Sequence, residues 1–244
     1  MSKADRFITK AKREARRHAP SLSVARLKEL AKVNNAKSYL EIGVADGKTF
    51  LHTDFDLKHA VDPKFRFDTR QHESKNCKFF ETTSDDFFLY FANPEVKYDV
   101  IFLDGLHTFE QTFRDFCSTQ AHCHDRTIWL IDDVYPSDAF SAIPSEALSR
   151  KFRKLQRGSG KGPWHGDVFK MMFAIHDFFP NLSYRTVVGH GNPQAVVVRR
   201  PRKEFNPRFG SLETISRLSY FDFLEEQALL DFATNEEVSA WLTG

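Results

Sequence analysis

Two apolar segments of this sequence each end in acidic residues. The first ends at Asp104, with His107 three residues later, and the second ends at Asp132 and Asp133. Both segments are rich in β-branched and aromatic residues, which is typical of strands covered on both faces of a parallel sheet. Three carboxylates gathered together repel one another unless a cation lies among them. The residue types therefore favour a metal-assisted active site, provided that the fold brings the two segment ends together.

The residues between these two segments indicate how the ends meet. Within residues 109–123, four residues share one helical stripe: Phe109, Phe113, Phe116 and Cys117. A strand, a helix and a second strand in succession predict a unit of a parallel sheet. Ligands of open α/β sheets bind at the carboxyl ends of such strands. We therefore expect the three aspartates at one edge of the sheet, with His107 just beyond.

A glycine turn follows another predicted strand, at residues 38–43. Gly43 and Gly47 stand four residues apart, so the three-glycine fingerprint of dinucleotide-binding folds is not met. Gly43 would let the chain turn tightly off the strand, and Gly47 would let a ligand approach the next helix. Glu41 lies within the apolar strand, where a carboxylate is costly unless it meets a donor. The motif predicts either cofactor binding or an ordinary turn.

Two polar positions further along fit a nucleotide-like ligand. Asp62 follows Glu41 by 21 residues, close to the spacing at which an acid accepts hydrogen bonds from ribose hydroxyls. It also precedes Pro63, as in many plain turns. Ser84 and Asp85 precede a short predicted helix, where they would meet an adenine edge or simply cap the helix.

The remaining chain completes an α/β pattern. Residues 59–61 and 78–81 predict two further strands. Residues 182–188 and 194–199 predict an antiparallel hairpin, because the link between them is short and rich in glycine. We expect a Rossmann-like, doubly wound sheet of seven mostly parallel strands that ends in this hairpin, with helical additions at both termini.

The predicted elements divide the chain into three parts. Residues 1–35 form a basic helical arm, residues 36–200 the α/β domain, and residues 201–244 a helical, acidic appendage with a helix over 219–242. The arm is either a solvated or surface-packed helix or a binding arm for nucleic acid or membrane. The oppositely charged terminal helices offer a contact within one chain or across a homo-oligomer.

A basic stretch at residues 150–161 precedes Trp164 and His165. It is either a solvated helix face with a flexible loop or a mobile lid that attracts an anionic substrate. His165 is a second candidate base or substrate contact.

The composition indicates a soluble globular protein. The chain has 244 residues, 41% of them hydrophobic, which is enough for a sizeable core. The formal net charge of +2 is too small to imply a nucleic-acid partner. Three Cys without framework spacing fit a reducing compartment. No apolar run reaches the roughly 18 residues of a membrane span. We expect a cytoplasmic protein with no membrane partner.

The motifs together resemble a known superfamily. The sequence of residues 41–47, followed by Asp62, the two carboxylate-ended strands and the final hairpin, resembles class I S-adenosylmethionine-dependent methyltransferases over residues 36–200. Residues 103–110 and 131–133 resemble, within that superfamily, the metal-dependent O-methyltransferases that act on sugars and antibiotics. The Gly-Asp-Val-Phe-Lys sequence that begins at Gly166 recurs in that group.

The resemblance implies a role for each candidate residue. Asp62 would hold the ribose hydroxyls of S-adenosylmethionine. The full implied cofactor site comprises Glu41, Gly43, Val44, Gly47, Lys48, Thr49, Asp62, Ser84, Asp85 and Asp104. The implied Mg²⁺ ligands are Asp104, Asp132 and Asp133. His107 would be the general base, with Asp104 beside it as a catalytic residue, and the partner would be a small-molecule hydroxyl acceptor such as a sugar.

One departure concerns the second pair of metal ligands. The relatives often carry Glu-Asp or Asp-Asn where this chain has Asp132 and Asp133. The shorter side chain at Asp132 would leave the coordination incomplete or make Asp133 the ligand of that pair.

The chemistry also follows from the residue types. S-adenosylmethionine carries an activated methyl group, so the protein must supply position and a nucleophilic oxygen. A cation held by oxygen ligands lowers the pKa of a bound hydroxyl, and a nearby His can remove its proton.

Three rival interpretations remain open at this stage. The first is an enzyme of the same fold with another acceptor or no need for metal. The second is a cofactor-binding module whose basic arm and loop engage nucleic acid or a partner protein. The third, a nicotinamide dehydrogenase, is disfavoured because the third glycine is missing.

Overall fold

The structure, a computed structural model, describes residues 21–189 and 191–244. The predicted basic helix within residues 1–20 lies outside the described residues. The strands of the described part are β1 (Ser38–Ile42), β2 (Leu57–Asp62), β3 (Cys77–Glu81), β4 (Val100–Leu103), β5 (Ile128–Ile131), β6 (Ser183–Val187), β7 (Gln194–Val198) and β8 (Phe232–Ala233). They form one sheet in the order β3-β2-β1-β4-β5-β7-β6-β8.

Helices cover both faces of this sheet. The α-helices of the described part are α1 (Ser23–Asn34), α2 (Ser84–Asp86), α3 (Phe109–Thr119), α4 (Glu146–Arg157), α5 (Lys170–Phe178), α6 (Leu212–Arg217), α7 (Tyr220–Glu226) and α8 (Asn235–Thr243). A π-helical turn, Phe87–Phe91, follows α2, and 3₁₀ turns lie at Phe50–His52, Thr69–Gln71, Gln120–His122 and Gln227–Leu230.

The sheet has the predicted doubly wound topology. β1 lies between β2 and β4, and these strands run parallel, as do β2 with β3 and β4 with β5. β7 runs antiparallel to both β5 and β6, which confirms the hairpin. The strand order switches between β1 and β4, since β2 and β3 lie beyond β1 on one side and β5 lies beyond β4 on the other. Folds of this kind bind ligands in the cleft between the carboxyl ends of the two strands at such a switch point.

The carboxyl-terminal region differs from its prediction. The prediction of a single helix over residues 219–242 is wrong, because this region contains two separate helices. Ser219 and Thr234 are their N-cap residues, and each forms a capping box. Between those helices Asp231 adopts a left-handed conformation, and β8 then pairs in parallel with β6. The region therefore adds an eighth strand to the sheet, while α8 packs against α1.

Two apolar clusters hold the layers together. On one face, the completely buried Trp129 packs against Phe116 of α3, and its indole Nε1 donates a 2.9 Å hydrogen bond to Thr119 Oγ1. On the other face, Leu27 of α1 joins Phe102 of β4 in a second cluster. Burial of both faces explains why the central strands carry continuous apolar runs rather than alternating ones.

In the part of the chain that the structure describes, no helix is both long enough and apolar enough to cross a membrane.

Candidate active site

The carboxylates at the ends of β4 and β5 meet because of the strand register. Leu103 of β4 pairs with Ile131 of β5. The amide of Asp132 donates to the Leu103 carbonyl at 3.0 Å, and the amide of Asp104 donates to the Ile42 carbonyl at 2.8 Å. Asp104 and Asp132 therefore leave the sheet side by side at its carboxyl edge.

Asp133 has an unusual backbone conformation. Its φ of 60° lies in the left-handed region, which is unfavourable for a residue with a side chain. Its Oδ2 lies 2.6 Å from Nδ1 of His107, which lies in the link between β4 and α3. A carboxylate only accepts, so Nδ1 carries the proton of this hydrogen bond.

The ring of His107 is fixed on several sides. Its Nδ1 also lies 3.2 Å from the Trp164 carbonyl, and its plane stacks on the Trp164 indole with centroids 5.0 Å apart. Its Nε2 lies 3.7 Å from Oδ1 of Asp104. His107 therefore bridges the two strand ends through two different ring atoms.

The crowding of charge shifts the acid–base properties of this group. Burial, and then the charges of Asp132 and Asp133, raises the pKa of Asp104 well above its usual value. Burial and the Asp133 charge raise the pKa of Asp132 to about 6. Burial alone would lower the pKa of His107, but the hydrogen bond and charge of Asp133 outweigh it and raise the pKa. The crowded carboxylates therefore favour positive charge beside them, either as protons or as a cation.

The donor atoms fit a divalent cation. One atom each from Asp104, His107 and Asp133 can be chosen so that all lie within 4.8 Å of one another. The same residues, with Asp132, line a cavity of about 10 Å³, the size that holds a single water molecule. Two carboxylate oxygens suit a hard cation such as Mg²⁺, and an imidazole nitrogen is accepted by softer divalent metals.

Asp132 takes a different place in the structure from its two neighbours. Its Oδ1 accepts from the Asn192 amide group and from the backbone amide of Asp133, each at 2.8 Å. Asn192 also donates to Asp133 Oδ1 at 2.6 Å. The role of Asp132 as a metal ligand stays a prediction. The three residues whose donor atoms lie close enough to share one cation are Asp104, His107 and Asp133, with His107 where Asp132 was expected.

Asn192 was not predicted from the sequence. It lies in the link between β6 and β7, far along the chain from the carboxylates, and only the antiparallel return of β7 beside β5 brings it to this edge. Its position between Gly191 and Pro193 is the one local signal of an ordered link.

The segment that precedes α5 packs onto His107. Gly166 has a φ of 60°, and a Cβ built on it would lie 1.5 Å from the His107 carbonyl oxygen. Asp167 Oδ1 accepts from the Phe109 amide at 2.9 Å, and its Oδ2 pairs with buried Lys170 at 2.8 Å. These contacts attach the start of α3 to the start of α5.

His165 also reaches the site. It is buried, its Nε2 lies 3.9 Å from Asp133 Oδ1, and its Nδ1 has no hydrogen-bond partner among the described residues. Burial lowers the pKa of His165, so the neutral ring is favoured. It therefore stands beside the carboxylates as a second, neutral imidazole.

The glycine turn brings the backbone of β1 against that of β4. Gly43 has a φ of 91°, and a Cβ there would lie 1.9 Å from the Asp104 carbonyl oxygen. Gly47 has a φ of 74°, and a Cβ there would lie 2.8 Å from the Leu51 side chain. A side chain at Gly43 would displace the backbone of Asp104, and the positive φ of Gly47 strains any residue that has a side chain, which explains the Gly-x-x-x-Gly spacing.

Asp62 caps this turn from the end of β2. Its Oδ2 accepts from the amides of Val44 and Ala45 at 2.9 and 2.8 Å, and its Oδ1 accepts from the Lys64 amide at 2.7 Å. The carboxylate is thus held firmly at the edge where the cofactor is expected. A ribose hydroxyl would share its remaining lone pairs.

Four other residues of the predicted cofactor site each contact either Ser21 or Gln111. Thr49 is buried and its Oγ1 lies 2.7 Å from Ser21 Oγ, while the carbonyl of Lys48 accepts from the Ser21 amide. Gln111 of α3 donates to both Ser84 Oγ and Asp85 Oδ1 at 3.1 Å. Thr83, rather than either of these two, caps α2.

Glu41 lies in the core rather than at the edge. It accepts a hydrogen bond from the Tyr39 hydroxyl at 2.5 Å, and the side chain is almost completely buried. Burial raises the pKa of Glu41 to about 8, although the Tyr39 bond acts in the opposite direction. Its direct contact with a cofactor therefore stays a prediction.

The region that contains this site is similar to a known kind of domain. Residues 40–134 match the model of a family described as a methyltransferase domain. This range contains the glycine turn, Asp62 and all three aspartates at the strand ends. Over these residues the chain is similar to a methyltransferase domain, and its sheet has the class I, Rossmann-like methyltransferase fold.

Two solved structures resemble the chain in fold. One is a putative caffeoyl-CoA O-methyltransferase from Staphylococcus aureus, with a TM-score of 0.52 and 16% identity over 82% of this chain and 93% of that one. The other is an O-methyltransferase from Bacillus cereus in complex with SAH, with a TM-score of 0.50 and 14% identity over 82% and 92%. No curated protein sequence matches the chain.

Proposed function

We propose that the protein transfers a methyl group from S-adenosylmethionine to a hydroxyl of a small polar molecule such as a sugar, with help from Mg²⁺. The observation that carries the proposal is the group formed by Asp104, His107 and Asp133 at the carboxyl ends of β4 and β5. It adjoins the glycine turn, so a cofactor held by that turn would lie against the group.

The cofactor half of the proposal rests on β1 and β2. Asp62 is positioned by three backbone amides at the carboxyl end of β2. The adjacent turn passes so close to Asp104 that no side chain fits between them. In the proposed complex, Asp62 accepts from the ribose hydroxyls, and the methionine end lies along the turn, which directs the methyl group toward the strand ends.

The acceptor half depends on the two faces of His107. Asp133 holds the proton on Nδ1, so Nε2 is the atom that accepts the proton of the acceptor hydroxyl. Stacking on Trp164 keeps the ring in this orientation. When bound by Asp104 and Asp133, a divalent cation would lower the pKa of that hydroxyl.

The first experiment is calorimetric titration of S-adenosylmethionine and its demethylated product, with and without Mg²⁺. We expect the wild type to bind both ligands and Asp62→Ala to lose binding by about 100-fold, since a carboxylate that accepts two hydroxyl bonds contributes roughly 3 kcal/mol. Asp54→Ala, at an exposed position outside the turn, is the matched control.

The outcomes separate the alternatives. Because Asp62 also holds the turn, the melting temperature of each variant is measured beside its affinity. If the wild type binds neither ligand under any metal condition, the proposal is wrong. If the wild type binds the cofactor, Mg²⁺ is then titrated into the wild type and into Asp133→Asn. Equal affinities of the two proteins for Mg²⁺ would remove the metal from the proposal.

A further inference from the structure

A second cavity lies away from the strand ends. It has a volume of about 240 Å³ and opens beside β3, the outermost strand on one side of the sheet. Leu57 and His59, from the amino-terminal half of β2, form part of its wall. Asp62 and the glycine turn stand at the opposite, carboxyl end of that strand, so this cavity is separate from the proposed methyl-transfer site.

Three phenylalanine rings form part of the apolar wall, beside Leu57, Ala92 and Val96. Phe80 of β3 contacts Phe87 with ring centroids 4.9 Å apart, and Phe91, half-exposed, lies at the rim. The imidazole of His59 meets the Phe80 ring edge to face at 5.5 Å. A cavity of roughly 150 Å³ with an apolar lining holds benzene, so this larger one has room for a single ring with a short polar substituent.

Every ionisable side chain that lines this cavity is basic. Lys75 and Lys78 are exposed residues of its lining, and His59 is buried within it. Neither lysine forms an ion pair with another residue among residues 21–189 and 191–244. Two uncompensated ammonium groups beside an aromatic wall form an environment that attracts an amphipathic anion.

The histidine adds a polar contact at the inner end. His59 Nδ1 lies 2.6 Å from the Tyr98 hydroxyl, and this bond fixes the ring. Its Nε2 has no hydrogen-bond partner among the described residues, although His59 lines the cavity. Burial, and then the charge of Lys78, lowers the pKa of His59 to about 4, which is consistent with a local excess of positive charge.

We propose that this cavity binds a small aromatic carboxylate, whose ring packs against Phe80, Phe87 and Phe91 while its carboxylate pairs with Lys75 and Lys78. The site is independent of the cofactor and of the acceptor. The proposed methyl transfer does not require this cavity, so an experiment on one site does not decide the function of the other.

The test is calorimetric titration of 3-phenylpropanoate into the full chain without cofactor or metal. The neutral alcohol and the cationic amine of the same carbon skeleton are titrated in parallel. We expect the acid to bind, the alcohol to bind about ten-fold more weakly, and the amine to show no binding, because charge pairing with the lysines distinguishes them. Equal affinity for acid and amine would overturn the proposal.

Two double variants locate the site. Lys75→Gln/Lys78→Gln removes the charges at the cavity, and Lys151→Gln/Lys154→Gln removes the same charge from the exposed face of α4. We expect about a ten-fold loss of affinity for 3-phenylpropanoate in the first variant and less than about a two-fold change in the second. All four side chains are exposed, so both variants should fold. Equal losses, or no loss in the first, would show that the acid binds elsewhere and would overturn the proposal.

Discussion

Gly166 lies against the backbone of His107, and its missing side chain is what allows that contact. A Cβ at Gly166 would lie 1.5 Å from the His107 carbonyl oxygen. The residues on either side of Gly166 are the second imidazole, His165, and the buried acid, Asp167. One glycine therefore sets the distance between the loop before α5 and the proposed catalytic histidine.

Gly166→Ala should lower both stability and methyl transfer. The clash is with backbone, which cannot move aside cheaply, and we expect a loss of unfolding free energy above about 3 kcal/mol. Gly158→Ala is the control, because Gly158 has a φ of 71° but nothing within 4 Å of its Cβ position. It should lose only about 1 kcal/mol. Equal losses in urea denaturation would show that the contact with His107 has no special cost.

Asn192→Ala should destabilise the carboxylate pair that Asn192 now bridges. The variant loses hydrogen bonds to Asp132 and Asp133, and a bond to a charged group contributes about 2 kcal/mol. We expect a lower melting temperature in metal-free buffer, and Asn181→Ala, at an exposed position, should leave it unchanged. A melting temperature equal to that of the wild type would show that solvent replaces Asn192 without cost.

The raised pKa of Glu41 predicts that the folded protein loses stability at alkaline pH. Its pKa is raised from 4.5 to about 8, so the folded state holds the proton more tightly than the unfolded state. The resulting stabilisation is complete below about pH 4.5 and is lost as the pH rises through about 8. Glu41→Gln keeps the acceptor for Tyr39 and cannot ionise.

The comparison is made by urea denaturation at two pH values. Near pH 5 the wild type and Glu41→Gln should have similar unfolding free energies, and near pH 9 the variant should be more stable by about 3 kcal/mol. Since other buried acids titrate in both proteins, the difference between the proteins isolates Glu41. A constant difference across this range would mean that Glu41 is not buried as a neutral acid.

The buried pair of Asp167 and Lys170 should be costly to break. Asp167→Asn keeps an oxygen for the Phe109 amide but leaves the Lys170 charge without its partner, a loss of about 3 kcal/mol or more. Glu146→Gln removes an acid from the exposed pair with Arg150 and should cost less than about 0.5 kcal/mol. Calorimetric unfolding checks both, and equal effects would argue against a burial penalty at Lys170.

Much of the architecture could be predicted from local sequence. The continuous apolar runs before Asp104 and Asp132 require strands buried on both faces, and the stripe of Phe109, Phe113 and Phe116 requires a helix between them. That succession fixes two parallel strands with both acids at their carboxyl ends, which the register confirms. The roles of these acids in metal and cofactor binding stay predictions.

Tertiary structure decided what local patterns cannot encode. Asn192 reaches Asp132 because β7 returns antiparallel beside β5, and Gly166 meets His107 because α5 packs next to α3. The predicted helix over residues 219–242 failed for the same reason, since residues 232–233 gain backbone partners in β6 that outweigh helical propensity. Sequence periodicity determines which faces must be buried, whereas contacts between distant segments depend on where those faces meet.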